Sequence, residues 1–330
     1  MAETVDFFGT PISRIGYGAM GLSAFYGKPK EEDHAVRVIR KAVDIGCTFI
    51  DTAAVYGWGH NERLLAAALN DSGLRKKVFL ATKFVFINSN GQVGGVDASR
   101  DAVRATVDKS IADLGGVAPD LLYEHRRDDK VPVEDLMATF AELQKEGKTK
   151  YIGLSECSAE TLRKACKVAQ VHALQVEYSL WSTQIERNGL LQAARDNGVK
   201  IIAYSPIGRG FLSGKYKDGD DFEDGDFRKA NPRFVGEAAK QNLKLVEEVR
   251  KVADRLKATP AQVALAWLLA QGDDIIPIPG TTSEERLIEN FDARKLKLSE
   301  TDLAEIRDIL KNYPVSGERY SGAMAQMVEK

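Results

Sequence analysis

Three ionisable side chains stand where short, mainly apolar segments of the first half of the chain end. Asp51, Lys83 and His125 each follow directly on such a segment, and Tyr56 lies five residues beyond Asp51. Apolar runs of this length, rich in β-branched and aromatic residues, predict buried strands. An acid at the end of a buried strand is expected to point into a cleft, because burying an unpaired carboxylate is costly.

These four residue types together indicate a particular chemistry. The usual pKa of a phenol, about 10, is too high for efficient proton donation at neutral pH. An ammonium from Lys83 is expected to lower the pKa of Tyr56, and Asp51 is expected to keep that ammonium charged and oriented. His125 can donate a hydrogen bond to a substrate oxygen. The set predicts a site for a carbonyl oxygen that gains negative charge and then a proton, as in hydride delivery to an aldehyde or ketone.

Each residue alone also has an ordinary structural explanation. A lysine after a strand is usually solvated, Asp51 could cap a turn, and His125 could be a histidine of the core. The functional interpretation depends on the three strands being consecutive and parallel, which would bring their carboxyl ends to one rim. Active sites of β/α barrels are built at that rim.

Strand and helix patterns alternate along the whole chain. Eight β/α units predict the α/β class and a closed (β/α)8 TIM barrel, with residues 1–330 as a single domain. A hairpin over residues 7–12 is expected to cap one end, and 300–311 to form an accessory helix; residues 90–95 are interpreted as a glycine-rich loop. The eight strands are predicted at residues 14–20, 48–50, 78–82, 121–124, 151–154, 173–177, 200–204 and 275–278.

Composition excludes several classes of function. The net charge of −2 gives no basic surplus for nucleic-acid binding. The first six residues lack the pattern of a signal peptide, and the apolar run 261–270 is too short to span a bilayer. Three cysteines in different elements suit reduced thiols, so a cytoplasmic protein without membrane association or metal is expected. The acidic run 218–226 does not fit a calcium loop, because Phe222 and Asn231 would fall at ligand positions.

Two motifs near the start match dinucleotide enzymes only formally. Gly16, Gly18 and Gly21 form G-x-G-x-x-G, but a pyrophosphate site needs a helix directly afterwards, and Pro29 interrupts the chain first. The glycines are better explained by a strand whose backbone lies close to another segment. Tyr26 and Lys30 form Tyr-x-x-x-Lys, but the same proline prevents one helical turn between them.

Several segments resemble the aldo-keto reductase superfamily from the first strand to about Phe291. The similarity is greatest to a fungal and plant branch that contains the YakC-type and perakine-type reductases. The residues that carry the resemblance are 18–23, 49–57, 81–83, 123–126, 153–158, 175–179, 204–212 and 272–274. It implies that Tyr56 is the proton donor, that Lys83 and Asp51 tune it, and that His125 orients the carbonyl group.

The same resemblance implies a bound NADPH, with NADH the less favoured cofactor. Ser155 and Gln175 would hold the nicotinamide and Tyr204 would stack on it. The pyrophosphate would lie under residues 205–215, and Arg286 is the expected partner of a 2′-phosphate because a guanidinium binds phosphate bidentately. The implied cofactor residues are Ser155, Gln175, Tyr204, Ser205, Pro206, Leu212, Gly214, Lys215, Gly280, Thr282, Arg286, Glu289 and Asn290.

This chain departs from the family pattern at three places. Glu156 stands where many members have an asparagine against the nicotinamide amide, and Gly280 replaces a lysine of one large branch. Thr282 and Ser283 replace a Lys-Arg pair. Arg228 or Arg233 in the long segment 208–236 could compensate at the 2′-phosphate.

Three hypotheses follow for the function. The first is NADPH-dependent reduction of a small aldehyde or ketone to an alcohol, with Tyr56 as general acid. The second is an NADPH-binding regulatory barrel resembling the potassium-channel β subunits, and the third is a Schiff-base aldolase that uses Lys83. The segment from Arg319 and Tyr320 onward could close over the substrate pocket, and the sequence indicates neither the substrate nor the oligomeric state. Five aromatic residues are expected on rim loops near a substrate. They are Phe25, Tyr26, Trp58, Phe84 and Trp181.

Overall fold

A computed structural model describes residues 4–70, 73–216, 221–222 and 226–328, and its centre is a sheet of eight parallel strands. Helices connect successive strands of this sheet, and strands that follow one another along the chain are neighbours in it. The strands are β3 (Tyr17–Gly18), β4 (Phe49–Asp51), β5 (Phe79–Phe84), β8 (Leu121–Glu124), β9 (Tyr151–Ser155), β10 (Ala173–Glu177), β11 (Lys200–Tyr204) and β12 (Ile275–Pro277). The predicted fold class, a (β/α)8 barrel, is confirmed.

The first and last strands close the barrel through two backbone hydrogen bonds. The amide of Gly16 donates to the Pro277 carbonyl (2.9 Å), and that of Gly18 donates to the Pro279 carbonyl (3.2 Å). A Cβ atom at Gly18 would lie 2.8 Å from the carbonyl oxygen of Ile278, so a side chain would force the strands apart. The predicted close approach of the glycine backbone is therefore confirmed. The first strand is shorter than the predicted residues 14–20, because only Tyr17 and Gly18 pair with β4.

The helices are positioned by apolar faces that pack on the sheet. Helix α1 buries Ala35, Val38, Ile39 and Ala42, which recur at the helical period. The ten helices are α1 (Glu32–Asp44), α2 (His60–Leu69), α3 (Arg100–Asp113), α4 (Val133–Lys145), α5 (Ala159–Val168), α6 (Leu190–Asp196), α7 (Gly236–Leu256), α8 (Pro260–Ala270), α9 (Glu284–Asp292) and α10 (Glu300–Asn312) in the described residues. The accessory helix predicted at 300–311 corresponds to α10.

A two-stranded hairpin, β1 (Thr4–Phe7) and β2 (Thr10–Ser13), covers the amino-terminal end of the barrel. Phe7 is fully buried and packs edge-on against Phe79 (5.0 Å between ring centroids) and Tyr151 (5.1 Å). Because Phe79 and Tyr151 are the first residues of their strands, these rings close the barrel at that end. The predicted cap is confirmed.

Residues 90–95 form a hairpin and not the predicted loop. Strands β6 (Phe86–Ser89) and β7 (Gln92–Val96) pair antiparallel, and they are joined by Asn90 and Gly91, both with positive φ. Positive φ at both central positions is typical of a tight hairpin turn. The glycines at 94 and 95 lie in the second strand, where sequence patterns alone suggest a loop.

The long segment 208–236 consists of short 3-10 turns where it is described. Much of the acidic run 218–226 lies outside the described residues. Within the described part of the chain, no group of three or more His, Cys, Asp or Glu side chains could hold a metal ion. A search of the same residues identifies no helix with the length and apolarity needed to cross a bilayer.

Candidate active site

The structure brings Asp51, Tyr56, Lys83 and His125 together at the carboxyl end of the barrel. Asp51 is the last residue of β4, Lys83 lies near the end of β5, and His125 directly follows β8. Tyr56 lies in the turn between β4 and α2. Because β4, β5 and β8 are neighbours in the sheet, their ends place these groups side by side.

Lys83 is the centre of this group. Its Nζ donates to Asp51 Oδ1 (2.5 Å), to the Thr52 carbonyl (2.6 Å) and to the Tyr56 hydroxyl (3.4 Å). The Lys83 side chain is fully buried and that of Asp51 is 3% exposed, so the ion pair is shielded from water. The Tyr56 oxygen accepts the Lys83 hydrogen bond, which leaves the phenolic proton available for another acceptor.

Burial shifts the pKa of every member of the group toward its neutral form. It raises the pKa of Asp51, against the opposing effects of Lys83 and Gln175, and it lowers the pKa of Lys83, against the effect of Asp51. It also holds the pKa of His125 well below its usual value, and the charges of Lys83 and Arg126 act in the same direction. A neutral imidazole can donate from one nitrogen and accept at the other.

The expectation that Lys83 lowers the pKa of Tyr56 is not met. Burial and the Asp51 carboxylate raise the pKa of Tyr56 well above 10, while the charge of Arg126 opposes them. The physical reason is that the free energy lost on removing a phenolate from water exceeds the electrostatic stabilisation that the nearby cations provide. Tyr56 is therefore protonated at neutral pH, as a proton donor must be before it reacts.

A cleft of about 720 Å³ opens beside this group. It extends from Tyr56 and His125, past the end of β11, to the start of α9. Ten of the thirteen residues expected to hold a cofactor line it: Gln175, Tyr204, Ser205, Pro206, Lys215, Gly280, Thr282, Arg286, Glu289 and Asn290.

Three expected cofactor residues do not line the cleft. The Leu212 side chain is fully buried in the core, where its surroundings are apolar. The Gly214 carbonyl accepts a hydrogen bond from Arg250 (3.0 Å). Ser155 is 1% exposed, and its hydroxyl accepts from Arg126 (3.3 Å). The neighbouring Ser213 lines the cleft in the long segment.

The chemistry of the cleft fits a long ligand with phosphate groups. Lys215 and Arg286 supply positive charge, and Ser205, Ser213 and Thr282 supply hydroxyl groups. Neither Lys215 nor Arg286 forms an ion pair with a described residue, although Arg286 Nε donates to Thr281 Oγ1 (3.2 Å). Unpaired cations with adjacent hydroxyl donors are well suited to bind phosphates.

Gln175 and Tyr204 each bond a protein partner within the cleft. Gln175 Nε2 donates to Asp51 Oδ2 (2.8 Å), so it also fixes the carboxylate that pairs with Lys83. The Tyr204 hydroxyl donates to Glu156 Oε1 (2.9 Å) and lies 2.8 Å from the Tyr320 hydroxyl. Because the only hydroxyl proton of Tyr204 goes to Glu156, Tyr320 is the donor in the second bond.

Glu156 anchors the carboxyl-terminal segment to the barrel. Its Oε2 accepts from Arg319 Nη2 (2.5 Å), and its Oε1 accepts from the amide of Glu177 (3.0 Å). Glu177 is itself paired with Arg209 (3.0 Å), and Arg233 lies 3.7 Å from it. The residue that departs from the family asparagine thus holds Arg319, which places Tyr320 against Tyr204.

The two compensating arginines have different surroundings. Arg228 lines the cleft, but Asp226 neutralises it at 2.6 Å. Arg233 is 6% exposed and bonds the Trp181 carbonyl and the Ser182 hydroxyl, away from the cleft lining. Neither arginine is therefore a free cation at the cleft.

Of the five aromatic residues expected near the substrate, only Phe25 and Tyr26 line the cleft. Phe84 is 2% exposed and packs on Phe140, and Trp181 stacks on Phe234 in the core. The Trp58 indole donates to the Gly91 carbonyl (2.8 Å). Residues that sequence reasoning missed line the cleft instead, and they are Phe86, Val93, Arg126, Tyr216, Phe222 and Phe227. Tyr320, in the segment that the sequence analysis places near the pocket, lines it as well.

A signal for one of the missed residues is present in the sequence. Asn90-Gly91 between apolar residues is a strong hairpin signal, and a hairpin there places Phe86 beside β5. The Phe86 ring then lies 5.0 Å from the His125 ring. For Tyr320 the sequence suggested only that its segment could cover the pocket, because its contacts depend on the bond between Arg319 and Glu156.

The fold and this cleft define a (β/α)8 barrel enzyme with an acid, a phenol, an amine and an imidazole at its mouth. The Aldo/keto reductase family matches residues 14–311. Since this match spans most of the sequence, the chain belongs to the Aldo/keto reductase family, whose members are oxidoreductases.

Relatives agree with this assignment. The chain is 45% identical over 313 residues to "Aldo-keto reductase yakc [NADP(+)]" of Schizosaccharomyces pombe, covering 94% of this chain and 92% of that protein. It is 40% identical over 312 residues to "Probable aldo-keto reductase 1" of Glycine max, covering 94% of this chain and 89% of that protein. Among solved structures, the glycerol dehydrogenase of Gluconobacter oxydans superposes with a TM-score of 0.86 at 27% identity, covering 98% of this chain and all of that one. The predicted superfamily and fungal and plant branch are confirmed.

Proposed function

We propose that this protein reduces aldehydes or ketones to alcohols with NADPH, and that Tyr56 is the general acid. The observation that carries the proposal is the position of Lys83 Nζ, which is buried behind the cleft and bonds at once to Asp51 and to the Tyr56 hydroxyl, two groups that line the cleft. The name of the fission yeast relative includes NADP(+), which supports the choice of cofactor.

Each residue of the group has one task in this reaction. The cofactor held by the cleft residues would supply a hydride for the carbonyl carbon. Tyr56 transfers its phenolic proton to the carbonyl oxygen, so that the product is a neutral alcohol. The Lys83 ammonium, held by Asp51, then stabilises the phenolate that remains on Tyr56.

His125 orients the substrate in this proposal. Its ring lies edge-on to the Tyr56 ring, with 5.9 Å between centroids, so both polar groups can approach one oxygen atom. The lowered pKa keeps the imidazole neutral, and its N–H donates to the carbonyl oxygen. Hydrogen bonds from both residues would stabilise negative charge as it develops on that oxygen.

Different residues of the cleft would contact different parts of the cofactor. Gln175, which bonds Asp51, and Tyr204 would contact the nicotinamide, while Ser205 and Lys215 would contact the pyrophosphate. Arg286, whose terminal nitrogens bond no described residue, is proposed to bind the 2′-phosphate that distinguishes NADPH from NADH.

The proposal is tested by following NADPH absorbance with 4-nitrobenzaldehyde as substrate. Tyr56→Phe removes the phenolic hydroxyl and with it the donated proton, and general acid catalysis is typically worth about 10²- to 10⁴-fold, so kcat should fall by at least about 100-fold. Tyr313→Phe is the matched control, because Tyr313 lies outside the cleft and bonds Glu248 at 3.5 Å. Equal rates for wild type and Tyr56→Phe would refute the assigned role.

A Schiff-base aldolase is the second candidate, because burial lowers the pKa of Lys83 and so favours the nucleophilic amine. Borohydride treatment in the presence of an aldehyde separates the two functions. Mass spectrometry that locates the aldehyde carbon on Lys83 supports the aldolase. An unmodified Lys83, together with NADPH consumption, supports the reductase.

A further inference from the structure

The guanidinium of Arg126 is the least satisfied cation around the catalytic group. Arg126 is 5% exposed and lines the cleft directly after His125. Its Nη1 donates to the His125 carbonyl (2.8 Å) and to the Ser155 hydroxyl (3.3 Å). Its buried Nε has no hydrogen-bond partner among the described residues, and Nη2 bonds none of them either. A buried donor without a partner is costly, so an unsatisfied group at a cleft suggests a ligand.

Nearby carboxylates do not neutralise Arg126. Glu156 is paired with Arg319, and Glu177 is paired with Arg209 and approached by Arg233. Within the described residues, Arg126 forms no ion pair. The rim beside His125 therefore has a surplus of positive charge in a largely buried position, where a charge has its greatest effect.

The phosphates of the proposed cofactor would lie elsewhere in the cleft. The residues that suit them lie after β11 and around the start of α9, whereas Arg126 follows β8. The charge of Arg126 acts instead on Tyr56 and His125, opposing the rise in the pKa of Tyr56 and lowering that of His125. Arg126 thus lies on the side of the cleft where the carbonyl group would bind.

We propose that Arg126 is a specificity-determining residue whose free guanidinium edge binds a carboxylate of the substrate, so that the cleft favours carbonyl compounds with a carboxylate close to the reducible C=O. This inference rests on the proposed function. Nη2, which has no hydrogen-bond partner among the described residues, can donate to a carboxylate oxygen, and the enclosed, unpartnered Nε leaves the positive charge of the guanidinium unneutralised on that side. Bonds from Nη1 to the His125 carbonyl and Ser155 hold that edge in place.

Pairs of substrates that differ only in charge test this proposal. Phenylglyoxylate and its methyl ester share one ketone, and 4-carboxybenzaldehyde and methyl 4-formylbenzoate share one aldehyde at a longer distance from the carboxylate. Each ester is the more electrophilic member of its pair, so intrinsic reactivity favours the ester. For wild type, kcat/KM for the acid should exceed that for the ester by about tenfold or more in at least one pair, mainly through KM.

Variants at Arg126 separate charge recognition from a structural role. Arg126→Gln should lower the acid-to-ester ratio by at least about tenfold, and Arg126→Lys should retain part of it, because lysine keeps the charge but not the planar guanidinium that Ser155 and the His125 carbonyl hold in place. Arg195→Gln is the matched control, since it removes the same charge from an exposed pair with Asp274 at the opposite end of the barrel. It should leave the ratio unchanged.

Three results would overturn the proposal: a wild-type preference for the ester in both pairs, a ratio unaffected by Arg126→Gln, or an equal fall with Arg195→Gln. If no substrate, including 4-nitrobenzaldehyde, consumes NADPH, the proposed function itself fails. Calorimetric titration in the presence of NADP⁺ then decides the inference separately. Saturable binding of phenylglyoxylate but not of its ester, lost in Arg126→Gln, supports the carboxylate site, whereas any other binding pattern refutes it.

Discussion

The two ends of the barrel are built from the same strands but have opposite character. At the amino-terminal end the strands begin with aromatic residues such as Phe49, Phe79 and Tyr151, whose rings pack on Phe7 of the hairpin or on each other. At the carboxyl end the same strands lead to Asp51 and other ionisable groups around an open cleft. One end is filled with rings, and the other is lined with charges.

This difference teaches that a single strand can serve stability and chemistry at its two ends. Strand β5 begins with the buried ring of Phe79 and, four residues later, presents the ammonium of Lys83. The distance between these positions lets each end change without disturbing the other, as is typical of β/α barrels. Substitutions at the two ends should therefore have separable effects.

The largest effect is expected at the open end, from Lys83→Met. Loss of the ammonium should lower kcat by about 100-fold or more, because Tyr56 loses the group that stabilises its phenolate. Stability should also fall, by about 3–5 kcal/mol, because Asp51 remains buried without its cation. Urea unfolding and NADPH oxidation measure the two quantities.

The double variant Lys83→Met/Asp51→Asn sharpens that result. Replacing the orphaned carboxylate with a neutral amide should restore most of the lost stability, while the activity stays low. Recovery of both properties would mean that the buried pair has only a structural role. If neither stability nor activity recovers, the losses in Lys83→Met result from altered packing around the substituted side chain.

A smaller effect, confined to stability, is expected at the closed end. Phe79→Ala removes a ring that packs on Phe7, Phe49 and Tyr151 and should lower the free energy of unfolding by about 3–5 kcal/mol. Below the unfolding transition, kcat/KM should stay within about twofold of wild type, because Phe79 does not touch the cleft.

The control for Phe79 is Phe25→Ala at the open end. Phe25 is 40% exposed and lines the cleft, so its loss should change stability by about 0.5 kcal/mol or less but raise KM for aromatic substrates. A reversal of this pattern, with activity lost at Phe79 and stability lost at Phe25, would break the comparison between the two ends.

The smallest effect is expected at the edge of the cleft, from Glu156→Gln. The neutral amide has a single acceptor oxygen, so it can keep the bond from Arg319 only by losing those from the Glu177 amide and the Tyr204 hydroxyl. It also loses the charge assistance, which accounts for roughly half of the strength of such a bond. Trypsin should then cut after Arg319 several-fold faster, and KM for substrate should rise by a similar factor. Glu160→Gln, in an exposed pair with Lys164, is the control. An unchanged rate of cleavage would show that the pair does not hold the segment.

The alternating fold could be predicted from the sequence because each element carries its own pattern. Short apolar segments predicted the strands, and the helical period of the apolar residues in α1 predicted a helix. The errors arose where local signals conflict. Glycines 94 and 95 suggested a loop, but they lie in strand β7. The predicted first strand is too long, because only two of its residues pair with β4.

The position of the proposed catalytic group could be predicted because strand ends carry it, and the family resemblance indicated ten further residues of the cleft. The contacts of the remaining lining residues could not be predicted. Strand order alone brings Asp51, Lys83 and His125 to one rim. The surroundings of Arg126 and Tyr320 depend on contacts between distant segments, such as that of Arg319 with Glu156, for which no sequence pattern exists. Burial likewise decides the pKa of Tyr56, and residue types alone favoured the opposite direction.

The hairpin that covers the closed end is also a suitable place to attach a tag or a linker. Thr4 lies in that hairpin, at the far end of the barrel from the cleft, whereas Tyr320 forms part of the cleft itself. An affinity tag or a surface linker joined before Thr4 would therefore leave the mouth of the barrel open to solvent. The same attachment shortly after Tyr320 would crowd the entrance through which small molecules must pass.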